Sequence, residues 1–211
     1  MKKPFTLFTL FCCFSIVTQA QSKAGTYGLQ VETGYNFTLS DGYPEYDHQA
    51  FNIAVSPGYH VTDKLFAGVG VALYNYTYSK YKNGGYGAEI PLEVNSKFIS
   101  VPIYGHGMWK FGRVGYPGLF VSLKAGYGII SKTMNPMKGQ GATDDVMYDY
   151  SGGLYLSPSL GYMYPINNKH AISLSVSYDH QDYSTTFKTD ERDYKNKKNN
   201  STVGVKIGWA F

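Results

Sequence analysis

Residues 201–211 read Ser-Thr-Val-Gly-Val-Lys-Ile-Gly-Trp-Ala-Phe. Every second residue is apolar: Val203, Val205, Ile207, Trp209 and Phe211. The residues between them are Gly204, Lys206, Gly208 and Ala210. A period of two belongs to a β-strand whose two faces meet different surroundings. A frayed strand of this composition in water would invite aggregation. It must therefore be buried in a sheet core, or turn its apolar face to something other than water.

The same alternation recurs along the chain. It predicts eight strands, over 26–37, 51–61, 65–76, 99–111, 119–131, 154–164, 170–180 and 201–211. In the first, Tyr27, Leu29, Val31, Thr33, Tyr35 and Phe37 share a face. In the fourth, Ile99, Val101, Ile103, Trp109 and Phe111 do so, with Gly105 and Gly107 between them. The second and sixth each carry Ser-Pro at the same phase, at Ser56-Pro57 and Ser157-Pro158.

The connections alternate. Thr-Asp-Lys at 62–64, the Gly-rich stretch 112–118 and Asn-Asn-Lys at 167–169 are short. Roughly 38–50, 77–98, 132–152 and 181–200 are long and polar. This is a hairpin meander with one end trimmed and the other displayed. An even strand count puts both termini at the trimmed end.

The small face decides between a soluble and a membrane barrel. It carries Gly28, Gln30, Glu32, Gly34 and Asn36 on the first strand, and Ser173, Ser175, Ser177 and Asp179 on the seventh. A sheet surface in water would carry longer charged side chains. A narrow eight-stranded interior has room for small residues and only a few large ones. The polar face is therefore expected inside and the apolar face against lipid. The last strand would pair with the first, leaving no free edge.

Composition agrees. The 211 residues include 24 Gly, 21 Tyr and 12 Phe, which leans towards β structure. Residues 1–20 read as a secretory signal peptide: Lys2 and Lys3, an apolar run over 5–17, then Thr18-Gln19-Ala20. Residues 21–211 form the barrel. Both cysteines lie in the leader, at 12 and 13, so no disulfide is expected. Without Lys2 and Lys3 the 19 basic residues fall to 17, against 15 acidic, so no nucleic-acid partner is indicated.

Counting from the trimmed end gives an inward layer of Glu32, Ser56, Gly70, His106, Lys124, Ser159, Ser175 and Lys206, with a stagger of about two residues unfixed. Glu32, His106, Lys124 and Lys206 form the expected polar cluster of the lumen. Lys206 on the last strand is expected beside Glu32 on the first, since buried charges need partners. The five histidines show no metal-ligand spacing. Small barrels that act on lipid need a serine activated by a histidine held by an acid. His180 lies near Asp179, Asp182 and Ser184, with His180 and Asp182 outward and Asp179 inward. That spacing is unspecific, so no catalytic residue, cofactor or metal is expected. Lys195, Lys197 and Lys198, in a basic loop end, are candidate contacts to lipopolysaccharide phosphates.

Leader, eight strands, long loops on one side and a terminal aromatic resemble the small bacterial outer-membrane barrels of the OmpA/OmpX type. The Tyr- and Gly-rich style, with Ile-Ser-Val-Pro-Ile-Tyr-Gly-His-Gly-Met-Trp-Lys-Phe-Gly at 99–112, is similar to the PorT-like β-barrel domain of Bacteroidetes. The resemblance implies a barrel in the outer membrane, with Val203, Val205, Ile207, Trp209 and Phe211 as the signal read by the barrel-assembly machinery. It implies a structural or interaction role through extracellular loops that meet lipopolysaccharide and a protein or glycan partner. A narrow channel and a subunit of a secretion or uptake complex are the alternatives, and a lipid A-modifying enzyme ranks last.

Overall fold

The structure is a computed structural model that describes residues 24–38, 46–80, 94–113, 115–130, 147–167, 170–188 and 193–211. The proposed leader, residues 1–20, and the loop stretches 39–45, 81–93, 131–146 and 189–192 lie outside the described residues. The described chain is all strand and turn. In order come β1 (Tyr27–Thr38), β2 (Tyr46–His60), β3 (Leu65–Lys80), β4 (Val94–Lys110), β5 (Gly118–Ile130), β6 (Met147–Ser151), β7 (Gly153–Pro165), β8 (Ala171–Lys188) and β9 (Asp193–Ala210).

Each strand pairs antiparallel with its neighbour, and β9 returns to β1 to close the barrel. Both β6 and β7 pair with β8, so together they fill one position, interrupted at Gly152. Eight positions therefore surround the axis, as the alternation predicts. The terminal strand runs from Gln30↔Ala210 to Thr38↔Thr202 along β1, so no edge is left beside it in the barrel wall.

The faces also fall as the pattern requires. Outward stand Val69, Val71 and Leu73 on β3, Leu119, Leu123 and Ile129 on β5, and Val205, Ile207 and Trp209 on β9. Inward and buried stand Gln30, Asn36, Asn52, Ser56, Ser100, Ser157, Ser177, Asp179, Thr202 and Lys206. An exterior this apolar is stable in hydrocarbon, and closing the barrel lets backbone groups of the wall pair strand to strand rather than with water. The connections that follow β2, β4 and β7 lie at one end of the barrel, together with Ala24 and Phe211, where the described chain begins and ends. An aromatic girdle rings that end: Tyr27 packs on Tyr59 at 5.4 Å, and Trp209 and Phe211 flank His170.

At the other end the expected loops are shorter than the sequence suggests. β8 continues to Lys188 and β9 begins at Asp193, so Lys195, Lys197 and Lys198 lie in a strand rather than in a loop. They pair with Thr186, Ser184 and Tyr183 of β8. The alternation there is polar on both faces, so hydrophobic periodicity cannot report it.

Prolines interrupt the ladder where they lack a donor. β2 and β3 pair at Val55↔Val71 and next at Gly58↔Gly68, skipping Pro57. β7 and β8 pair at Leu156↔His180 and next at Ser159↔Ser177, skipping Pro158. The two Ser-Pro dipeptides thus have the same consequence in the wall.

Small inward residues make room for large ones across the ladder. A Cβ on Gly70 would stand 2.5 Å from the Tyr104 ring, and one on Gly161 would stand 2.5 Å from Phe120. Gly70→Val should therefore displace Tyr104 and cost about 1–3 kcal/mol. Urea unfolding of the purified protein measures this, and an unchanged midpoint would mean Tyr104 is free to move aside.

Candidate functional site: a filled lumen and an outward polar array

Alternation puts polar residues inside; the barrel's stagger decides which of them meet. Near the short-turn end the lumen holds an apolar cluster of Phe66, Met108, Phe120, Met163, Ala171 and Ala210, with Lys110 and Ser122 buried beside it. His60 and His106 lie on the Phe66 ring, with centroids 5.4 and 5.5 Å away. Inward placement of both histidines matches the sequence reading, and one ring joins them. Both nitrogens of His106 are buried with no partner among the described residues.

Above this plug an ion pair crosses the lumen from β1 to β5, with the Lys124 ammonium donating to the Glu32 carboxylate. The Tyr104 ring faces Lys124 at 5.6 Å, and its hydroxyl meets Ser56 Oγ at 3.1 Å. Lys206 does not pair with Glu32 as expected. Its ammonium donates to Asp179 Oδ1 at 2.9 Å, to Ser157 Oγ at 3.3 Å and to the Tyr74 hydroxyl at 3.4 Å. Glu32 stands opposite Gly208, whereas Lys206 stands opposite Gly34 and Ser175, nearer to the Asp179 level.

Asp179 is the residue that the sequence reading placed inward without a role. Asn36 donates to it, as does Ser177 Oγ at 3.2 Å. Asn36 also donates to Thr202 Oγ1 at 2.9 Å and accepts from Asn52 at 2.7 Å. The Tyr74 and Tyr155 hydroxyls meet at 2.8 Å from β3 and β7, and Tyr76 stacks on Tyr74. Ser100 donates to Gln181 at 2.8 Å. Of the expected inward layer, Ser159 bonds Ser122 at 2.7 Å, and it is Ser157 that reaches Lys206. The lumen is thus spanned by two ion pairs and a tyrosine bridge. Both ammonium groups and both carboxylates in it are paired, whereas Asn52 Oδ1, Gln181 Nε2 and the His106 nitrogens are buried without a partner among the described residues.

The second constellation lies on the outer wall. His180 pairs with Ser201 across β8 and β9. His180 Nδ1 is 3.0 Å from Ser201 Oγ, and Nε2 is 3.2 Å from Asp182 Oδ1. Tyr178 donates its hydroxyl to Ser201 Oγ at 3.0 Å. The outward placement of His180 and Asp182 matches the sequence reading. The serine differs: Ser184, on the same outward row as Asp182, bonds Ser151 of β6, and it is Ser201, 21 residues beyond His180 in the chain, that reaches the imidazole. Only strand pairing brings it there. Lys197 is exposed on the same outward face of β9; the side chains of Lys195 and Lys198 lie outside the described residues.

No family model and no curated protein matches the sequence. Solved structures do match its fold. The crystal structure of the outer membrane protein OprG from Pseudomonas aeruginosa aligns with a TM-score of 0.58 at 13% identity, covering 90% of this chain and 99% of that one. The solid-state NMR structure of the outer membrane protein AlkL in lipid bilayers aligns with a TM-score of 0.53 at 14% identity, covering 90% of each chain. At such identities the likeness is one of fold.

Proposed function

We propose that the protein is an integral barrel of the bacterial outer membrane, exported through a cleaved leader, that is closed to solutes and works as a structural and interaction protein at the cell surface. The observation that carries this reading is the lumen crossed by Glu32–Lys124, Lys206–Asp179 and Tyr74–Tyr155. A solute path would have to break all three. The apolar exterior and the outer-membrane barrels that share its fold support the location. The short-turn end faces the periplasm, and the end bearing the long β8–β9 hairpin faces outward.

On that outer end β8 and β9 leave the apolar band beyond Tyr178 and Val203. Above it the exposed Lys197 suits a lipopolysaccharide phosphate, with Lys195 and Lys198 beside it in sequence. The connections 39–45, 81–93, 131–146 and 189–192 would meet a protein or glycan partner. During biogenesis Val203, Val205, Ile207, Trp209 and Phe211 would present the outward face of the closing strand to the assembly machinery.

Reconstitution into planar bilayers tests the closed lumen. No lasting current steps are expected from the folded protein, and a steady ohmic conductance would sink the reading. Fractionation of envelopes tests the location. Deletion of Phe211 should lower the folded, heat-modifiable fraction several-fold, and an unchanged fraction would remove the terminal residue from the assembly signal.

A further inference from the structure

We propose that Ser201 is an activated nucleophile that cleaves acyl esters of membrane lipid, with His180 as its base, Asp182 positioning the ring and Tyr178 as hydrogen-bond donor. The proposal rests on the membrane reading above.

The hydrogen bonds run in one direction. Tyr178 donates to Ser201 Oγ, which leaves the serine hydrogen to point at His180 Nδ1. Nδ1 then accepts, so Nε2 carries the ring hydrogen and donates to Asp182 Oδ1. The network, rather than any observed hydrogen, sets this tautomer. It is the arrangement a general base needs: a free lone pair towards the nucleophile and a carboxylate behind the ring. The roles of the two ring nitrogens are exchanged relative to the serine-protease arrangement, but each role is filled. The side chains of His180 and Asp182 keep 23% and 48% of their surface exposed, so a substrate has access.

Depth selects the substrate class. On the side of the short turns, the outward residues next to this array are Val176, Leu174 and Ile172 on β8, and Val203, Val205 and Ile207 on β9. On the other side they are Asp182, Asn199 and Lys197. Ser201 therefore stands where apolar wall gives way to polar wall. In a lipid leaflet that boundary holds the esters joining acyl chains to the headgroup, at the level where tyrosines such as Tyr178 gather.

The step balances as follows. Ser201 Oγ bonds to the ester carbonyl carbon while its proton passes to His180 Nδ1. Tyr178, already 3.0 Å from Oγ, donates to the oxygen that becomes negative. The bond to the leaving alcohol breaks, and the alcohol takes the proton from Nδ1. Water then attacks the acyl-serine, passing a proton through Nδ1 back to Oγ. One ester and one water become one fatty acid and one alcohol.

The test uses the purified, folded full chain in detergent micelles, with its fold judged by the gel shift between boiled and unboiled samples. One arm adds a fluorophosphonate probe. Two further arms add micelles containing diacyl phosphatidylethanolamine or lipopolysaccharide, with fatty acid release followed by mass spectrometry. The probe should label Ser201, and Ser201→Ala and His180→Gln should abolish the label. Release should occur in at least one lipid arm and fall about 100-fold or more in either variant. Asp182→Asn should lower kcat with KM unchanged, as a positioning residue does. No label and no release from the folded barrel would overturn the proposal, as would release that survives Ser201→Ala. A label without release in either lipid arm would overturn the lipid substrate. A chain that shows no gel shift and enters no vesicles would overturn the membrane reading and this proposal together.

Discussion

Lys206→Met should lower the unfolding free energy by about 3–5 kcal/mol, the cost of leaving a buried charge without its partner. Lys206 and Asp179 are each only 2% exposed, and the ammonium at 2.9 Å is the one cation bonded to that carboxylate among the described residues. Methionine fills a similar volume but offers no donor, so Asp179 keeps Asn36 and Ser177 and loses its countercharge. The loss should appear as an earlier midpoint when the barrel is unfolded by urea in detergent or vesicles, read by the gel shift. Adding Asp179→Asn to Lys206→Met should recover most of the loss, because a neutral pair needs no countercharge. A single variant as stable as the parent would mean that water enters the lumen and solvates Asp179. The second variant separates this from a general packing defect, which Asp179→Asn would not repair.

Val69→Lys should cost about 2–4 kcal/mol when the protein is unfolded from a bilayer. Val69 is 67% exposed at the middle of the outward row Leu65, Ala67, Val69, Val71 and Leu73 on β3. Its neighbours across the ladder are Gly105 and, beyond it, Ala125, so nothing beside the new lysine offers a counter-ion. In a barrel surrounded by water the same change would be close to neutral, since exposed apolar residues gain nothing there. The substitution therefore tests which side of the wall meets hydrocarbon. A loss below about 0.5 kcal/mol, the usual range for surface changes, would argue against a lipid-facing exterior. Moving the lysine to the girdle, as in Tyr59→Lys, should cost less, because charge near the interface reaches water.

Both predictions lean on features with different standing in the sequence. The faces of β1, β3, β5 and β9 were legible because a period of two leaves no other way to assign them. Shifting a strand by one residue would turn every Val and Leu of 65–73 into the lumen and Phe66, Gly68, Gly70 and Ala72 outward. Closure was legible too, since residues 203–211 could not stay unpaired. The same pattern was silent about β8 beyond Tyr178 and β9 before Thr202. There both faces are polar, so the hairpin that carries Lys195, Lys197 and Lys198 read as loop.

The amino-acid sequence by itself determined the barrel, the number of positions around it, and which side chains look inward. Tertiary structure alone decided which of them meet. A strand slid by two residues keeps every residue on its face and changes all its partners, so alternation carries no record of stagger. That is why Lys206 pairs with Asp179 while Glu32 reaches across to Lys124. It is also why His180 finds Ser201 on the next strand rather than Ser184 on its own.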